Sequence, residues 1–170
     1  MKKIIIFLAI IITILSLNKE EKVVIPKNSI RFRVIANSNS KEDQIIKKKI
    51  VYNLSNNILE LENKNMNIEN SREYIKNTLP EFKQVIEQTL NNQNYKINYG
   101  INHFPEKEYK GTVYEEGDYE SLVITLGDGL GENFWCVLFP PLCLLEAEDE
   151  QDTTDIEYKS FIKEVIDKYF

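Results

Sequence analysis

Few residues in this chain could do chemistry. It has one histidine, His103, and two cysteines, Cys136 and Cys143. A thiol beside an imidazole would make a nucleophile and its base. Nothing in the sequence places Cys136 beside His103, and a histidine closing an apolar strand face is usually packed or hydrogen-bonded. The same count makes a histidine-built metal site or a zinc site out of reach. Cys136 and Cys143 flank Val137-Leu138-Phe139-Pro140-Pro141-Leu142, where two prolines force a turn that could bring the sulfurs together. In an exported chain a disulfide is favoured over two buried thiols. No paired-carboxylate motif, nucleophile elbow or Walker loop is present. No cofactor, resident metal, catalytic residue or small-molecule substrate is therefore expected.

A second constellation is Gly127-Asp128-Gly129-Leu130-Gly131-Glu132-Asn133. Three glycines in five residues permit positive φ and close backbone approach. Phosphate-binding loops use such glycines, but ahead of a helix. Here a strand follows. Asp128, Glu132 and Asn133 offer oxygen donors, yet their spacing does not fit an EF-hand. The loop reads first as an ordered hairpin or a partner-contact loop, and only second as a metal site.

Composition narrows the class further. With 21 Lys+Arg against 27 Asp+Glu, the net charge is -6, which disfavours a nucleic-acid partner. A hydrophobic content of 42% permits a real core. Met1-Lys2-Lys3 followed by the apolar run Ile4 to Leu17 has the n- and h-regions of a secretory signal. Residues 1–18 are read as a signal peptide or an N-terminal membrane anchor, and residues 19–29 as a spacer. No cysteine follows the run, which excludes a lipoprotein. Removing residues 1–17 takes away Lys2 and Lys3, so the charge goes from -6 to -8 and the exported body is acidic.

The elements that must position these groups follow from periodicity. Ile30, Phe32, Val34 and Ala36 alternate with Arg31 and Arg33, as in a half-buried strand whose arginine face is exposed. Asn37 to Ser40 breaks it. Ser40 then caps a helix running to about Glu62, with Asp43 as the acidic member of a capping box. Ile46, Ile50, Leu54, Ile58 and Leu61 form its stripe, and Lys47, Lys48 and Lys49 read as a solvated face. A second helix starts at Asn70 and is ended or kinked by Pro80. Strands are expected at Tyr95 to His103, around Tyr109 to Tyr114, at Tyr119 to Leu126 and at Phe134 to Phe139. The last is apolar throughout and reads as a central strand. Residues 146–170 read as an acidic loop and a C-terminal helix. The order predicts an α+β fold, a mainly antiparallel sheet with helices packed over it in a single domain.

Two stretches carry a family likeness. One is Ile30-Arg31-Phe32-Arg33-Val34-Ile35-Ala36-Asn37-Ser38-Asn39-Ser40 with Glu42-Asp43-Gln44. The other runs from Gly111-Thr112-Val113-Tyr114 through Gly117-Asp118-Tyr119 to Gly127–Asn133 and on to Phe134-Trp135-Cys136-Val137-Leu138-Phe139-Pro140-Pro141-Leu142-Cys143. Over about residues 30 to 145 the chain resembles stage II sporulation protein R. Phe134 stands where an aromatic, often Trp, is expected. The segment Asn63 to Asn94 and the tail after Cys143 carry little of the signature.

The resemblance implies a signalling protein rather than an enzyme. In that family the protein is made in the forespore and exported into the intermembrane space. There it triggers a membrane-embedded aspartic protease of the mother cell, which cleaves a sigma-factor precursor. On that reading the partner-binding residues are Arg31, Arg33, Asn37, Gly127, Asp128, Gly129, Gly131, Asn133 and Trp135. An alternative places Trp135 in the core and the arginines on an inert surface. Two rival functions are a secreted hydrolase using Cys136 and an envelope-binding module.

Overall fold

The alternation of Ile30, Phe32, Val34 and Ala36 places a strand where the sequence predicts it, but that strand is covered on both faces. The computed structural model describes residues 23–64, 66–90, 93–109, 112–143 and 167–168. The leader, the acidic loop and almost all of the predicted C-terminal helix lie outside them. In chain order the elements are β1 (Val23–Val24), β2 (Ile30–Ile35), α1 (Lys41–Asn63), α2 (Ile68–Leu90), β3 (Tyr95–Phe104), β4 (Lys107–Tyr109), β5 (Thr112–Tyr114), β6 (Gly117–Leu126) and β7 (Asn133–Phe139). Among these, no helix is long and apolar enough to cross a membrane.

The larger sheet has four strands in the order β3-β6-β2-β7. β3 pairs antiparallel with β6, β6 parallel with β2, and β2 antiparallel with β7. A smaller sheet has the order β1-β5-β4, with β1 parallel and β4 antiparallel to β5. The predicted α+β class holds. The apolar strand β7 is not central as expected. It is an edge strand, and its five buried residues are explained by side chains packed on both of its faces.

The main core lies between the sheet and the two helices. Phe32, Val34, Leu122, Ile124 and Leu138 meet Ile50, Leu54 and Ile58 of α1 and Ile75, Phe82 and Ile86 of α2. Ser40 caps α1 by accepting from the Asp43 N–H at 3.1 Å. The capping box is not closed, because the Ser40 N–H donates to Ser38 Oγ at 3.0 Å rather than to Asp43. Asn67 caps α2, accepting from the Asn70 N–H at 2.9 Å, so this helix begins earlier than predicted. Pro80 does not end it. Ile75, Thr78, Phe82 and Ile86 continue one buried stripe across the proline. Burial of such side chains, roughly 1.5–3 kcal/mol each, outweighs a penalty of about 3 kcal/mol for the proline.

Cys136 and Cys143 form the expected disulfide, with Cα atoms 4.8 Å apart. It closes the Phe139-Pro140-Pro141 turn, where the Leu142 N–H donates to Val137 O at 3.0 Å. Both cysteines sit in the main core, at 2% and 4% exposure. Replacing both cysteines with serine is expected to lower unfolding stability by roughly 2–2.5 kcal/mol, the chain entropy of so short a loop. Chemical denaturation of the double variant reads this, and an unchanged midpoint would count against it.

Candidate functional site

The β2–α1 connection and the β6–β7 loop, which carry the two distinctive sequence stretches, fold onto each other. Asn37 is the hinge of the pair. Its Oδ1 accepts from the Asp128 N–H at 2.9 Å, and its backbone O accepts from the Leu130 N–H at 3.0 Å. Beside it, Ala36 O accepts from the Gly131 N–H at 2.9 Å. Asn39 Oδ1 accepts from the Glu132 N–H at 2.7 Å. Each loop thus satisfies backbone groups of the other, and neither can move alone without orphaning them.

The glycines are required by this contact. Gly127 has φ +53°, and a Cβ on it would fall on the Asn37 side-chain amide. Gly129 has φ +67°. At Gly131 a Cβ would strike the Ser38 carbonyl, which is backbone and cannot swing aside. Leu130 stands at the tip, 77% exposed. Leu130 is a large apolar side chain held outward on this cross-braced loop, between the exposed Asp128 and Glu132.

Beneath the pair lies a polar brace. Asp43 Oδ2 accepts from Ser38 Oγ at 2.6 Å and from Asn37 Nδ2 at 2.9 Å. Gln44 Nε2 donates to Ser38 O at 2.9 Å. Lys47 is 8% exposed, not on a solvated face as predicted. Its Nζ donates to Gln44 Oε1 at 2.6 Å and to Glu132 O at 3.0 Å, tying α1 to the far end of the glycine loop. Burial pulls its ammonium below the ordinary lysine value.

The hydrogen bond from Ser38, followed by that from Asn37, holds the Asp43 carboxyl below its ordinary value of 3.8. A carboxyl depressed in the folded state contributes stability above the unfolded value and loses it as pH falls through the folded one. The brace is therefore expected to loosen only below pH 3.8. An NMR titration of Asp43 should give a midpoint under that value, with Asp128 and Glu132 amide signals shifting in step. A midpoint at or above it would contradict the brace.

The arginine face differs most from expectation. Arg31 is 1% exposed, so it is not a docking residue on an open surface. Its guanidinium carbon stacks 3.3 Å from the Tyr119 ring centroid, with Phe104 at 5.5 Å and Tyr114 at 5.8 Å. Tyr114 belongs to the small sheet, which closes this face. Nη1 donates to Glu115 O at 3.3 Å, while Nε and Nη2 have no hydrogen-bond partner among the described residues. Burial lowers the Arg31 pKa from its ordinary value. Trp135, 7% exposed, packs edge-on against Phe104 at 5.1 Å, so the core reading of the tryptophan is the correct one.

Arg33 links this second core to the glycine loop. It lies 5.0 Å from the Trp135 ring centroid. With the Asn133 amide turned to satisfy both its ends, Asn133 Oδ1 accepts from Arg33 Nε at 3.1 Å and Nη2 at 2.8 Å, and Nδ2 donates to Gly131 O at 3.2 Å. Of the predicted contact residues, Asn37, Gly127, Asp128, Gly129, Gly131 and Asn133 come together, Arg33 supports them from below, and Arg31 and Trp135 lie inside. Cys136 has no free thiol in this disulfide-bonded form, so the cysteine-nucleophile reading loses its reacting group. His103, on the edge strand β3 at the other side of the sheet from β7, is hydrogen-bonded to Asp118 of the neighbouring β6 at 3.1 Å.

Sequence reasoning missed Leu130 as a presented residue, and missed Asn39, Asp43, Gln44 and Lys47 as the brace. The available signal was the density of Asn, Ser and acidic residues ahead of α1, which exceeds what one helix cap uses.

The fold and this site define a class of protein: a small α+β domain that offers a braced pair of loops and, among its described residues, no cluster of three His, Cys, Asp or Glu able to hold a metal. The family model for stage II sporulation protein R matches residues 26–149. The Bacillus subtilis stage II sporulation protein R is 37% identical over 155 residues, covering 89% of this chain and 69% of that protein. The chain belongs to the stage II sporulation protein R family, and its role lies in sporulation. No solved structure matches it.

Proposed function

We propose that the chain is an exported sporulation signal. It passes from the forespore into the intermembrane space, by way of its N-terminal segment, and activates a membrane-embedded aspartic protease of the mother cell. That protease then cleaves a sigma-factor precursor. Family membership supports the setting. The observation that carries the mechanism is the pair of signature stretches folded into one cross-braced platform with Leu130 at its tip. A preformed platform loses little entropy on docking. Contact with the extracytoplasmic part of the protease favours its active state by differential affinity between its two states.

Leu130→Asp tests this without touching the brace, because the side chain is 77% exposed. Co-purification of the full chain with the protease is expected to fall about tenfold or more, the loss of a central apolar contact. Tyr52→Asp, on an exposed face of α1, should leave capture unchanged. Equal capture by Leu130→Asp and the unaltered chain would take the platform out of the mechanism.

A further inference from the structure

The four-stranded sheet has an open edge along β3. This strand runs ten residues from Tyr95 to Phe104, in unbroken register with β6 and with no bulge or proline. Gly127 N–H donates to Asn94 O at 2.7 Å, which fixes the phase of the ladder. Counting in twos from that pair, the even-numbered residues of β3 bond to β6. The backbone N–H and C=O groups of Tyr95, Ile97, Tyr99, Ile101 and His103 point away from it. Among the described residues no strand pairs with them. Natural sheets usually blunt such an edge with charges, proline or a bulge. Here Lys96 is the only Lys, Arg, Asp or Glu in the strand, and Ile101 stands 69% exposed.

We infer that this edge pairs with the same edge of a second copy of the chain, antiparallel about a two-fold axis through Tyr99. The strand's own sequence selects that partner. In this register Tyr99 meets Tyr99, Ile97 meets Ile101, and Tyr95 meets His103. These are the residues whose backbone groups point outward, so each pair exchanges ladder hydrogen bonds. The exposed Ile101 gains an apolar cross-strand neighbour on each side of the axis. Lys96 falls opposite Asn102, so no like charges face each other. Asn98 falls opposite Gly100, where the space above the backbone is open. Two four-stranded sheets become one of eight strands, with the helices of both copies on one face. One strand pair buries less than the roughly 1,200 Å² of a stable interface, so the dimer depends on high local concentration. The inference stands on β3 alone and does not need the signalling reading.

Cysteine cross-linking of the full-length chain in membranes of its host tests both pairing and register. The native cysteines are already joined to each other. Tyr99→Cys alone is expected to give a disulfide-linked dimer. Chains carrying Ile97→Cys should cross-link when produced together with chains carrying Ile101→Cys. Each of these alone should yield at least about tenfold less, because its own copies lie about 13 Å apart, four residues along the strand. Adding Ile101→Pro removes an outward N–H and no bond to β6, and should lower the Tyr99→Cys dimer at least about tenfold. Ile101→Lys, which leaves the backbone intact, should lower it too. A chain that stays monomeric, a Tyr99→Cys adduct with a different protein, or equal yields from Ile97→Cys alone would overturn the inference.

Discussion

Arg31→Glu is expected to destabilise the protein by about 4 kcal/mol or more, enough to unfold much of it. Arg31 lies between the larger sheet and the small one, on the faces of Tyr119, Phe104 and Tyr114. A carboxylate there would face the negative π-clouds that now attract a cation, with the Glu115 backbone carbonyl beside it. Arg31→Met makes the informative contrast. It removes a buried charge whose Nε and Nη2 are unpartnered among the described residues, and it keeps much of the volume. The lost cation–π attraction and the recovered desolvation roughly offset, so its stability should lie within about 1 kcal/mol of the unaltered protein. Denaturation of the two variants side by side measures this. A fully stable Arg31→Glu would mean that the small sheet does not close over this face.

Gly131→Val should separate the two loops of the platform. The new side chain would meet the Ser38 carbonyl and the Ala36 Cβ, and relief requires moving backbone. Overpacking of this kind costs roughly 1–3 kcal/mol, and the bonds from Leu130 N–H to Asn37 O and from Gly131 N–H to Ala36 O are lost with it. The four-stranded sheet and its helices remain. Hydrogen exchange is expected to show faster opening at Asp128 and Glu132, with little change along β6. Gly100→Val is the matched control, since nothing lies within 4 Å of its added Cβ and a branched residue suits a strand. Its stability should be unchanged or higher. Equal exchange at Asp128 in Gly131→Val would show that the loops do not brace each other.

Parts of this architecture are legible in the sequence because they rest on local rules. The alternation through Tyr95 to His103 and Tyr119 to Leu126, the Ser40 cap and the turn joining Cys136 to Cys143 each follow from a few neighbouring residues. Other parts depend on contacts that no local pattern encodes. The short strand read around Tyr109 to Tyr114 is two strands, β4 and β5, and these with β1 have two or three residues each, too few for a period to show that they form a separate sheet. Without that small sheet, the arginines of β2 read as a wet face. The stack of Arg31 on Tyr119 joins residues far apart in the chain and looks polar residue by residue. Pro80 reads as a stop because its penalty is local, whereas the packing of Phe82 and Ile86 that overrides it is not. The platform lies between these cases. Its glycines and asparagines announce a special backbone, but only the fold shows Asn37 and Asn39 reaching across to Asp128 and Glu132.

On the proposed function, Leu130 and its braced loops act on a receptor. The direct measurement is cleavage of the sigma-factor precursor in cells that make the protease together with the full chain, either unaltered or as Leu130→Asp at equal abundance. Cleavage with the unaltered chain and its loss with Leu130→Asp is the predicted result. Precursor processed equally in both, or processed with the chain left out, would contradict it.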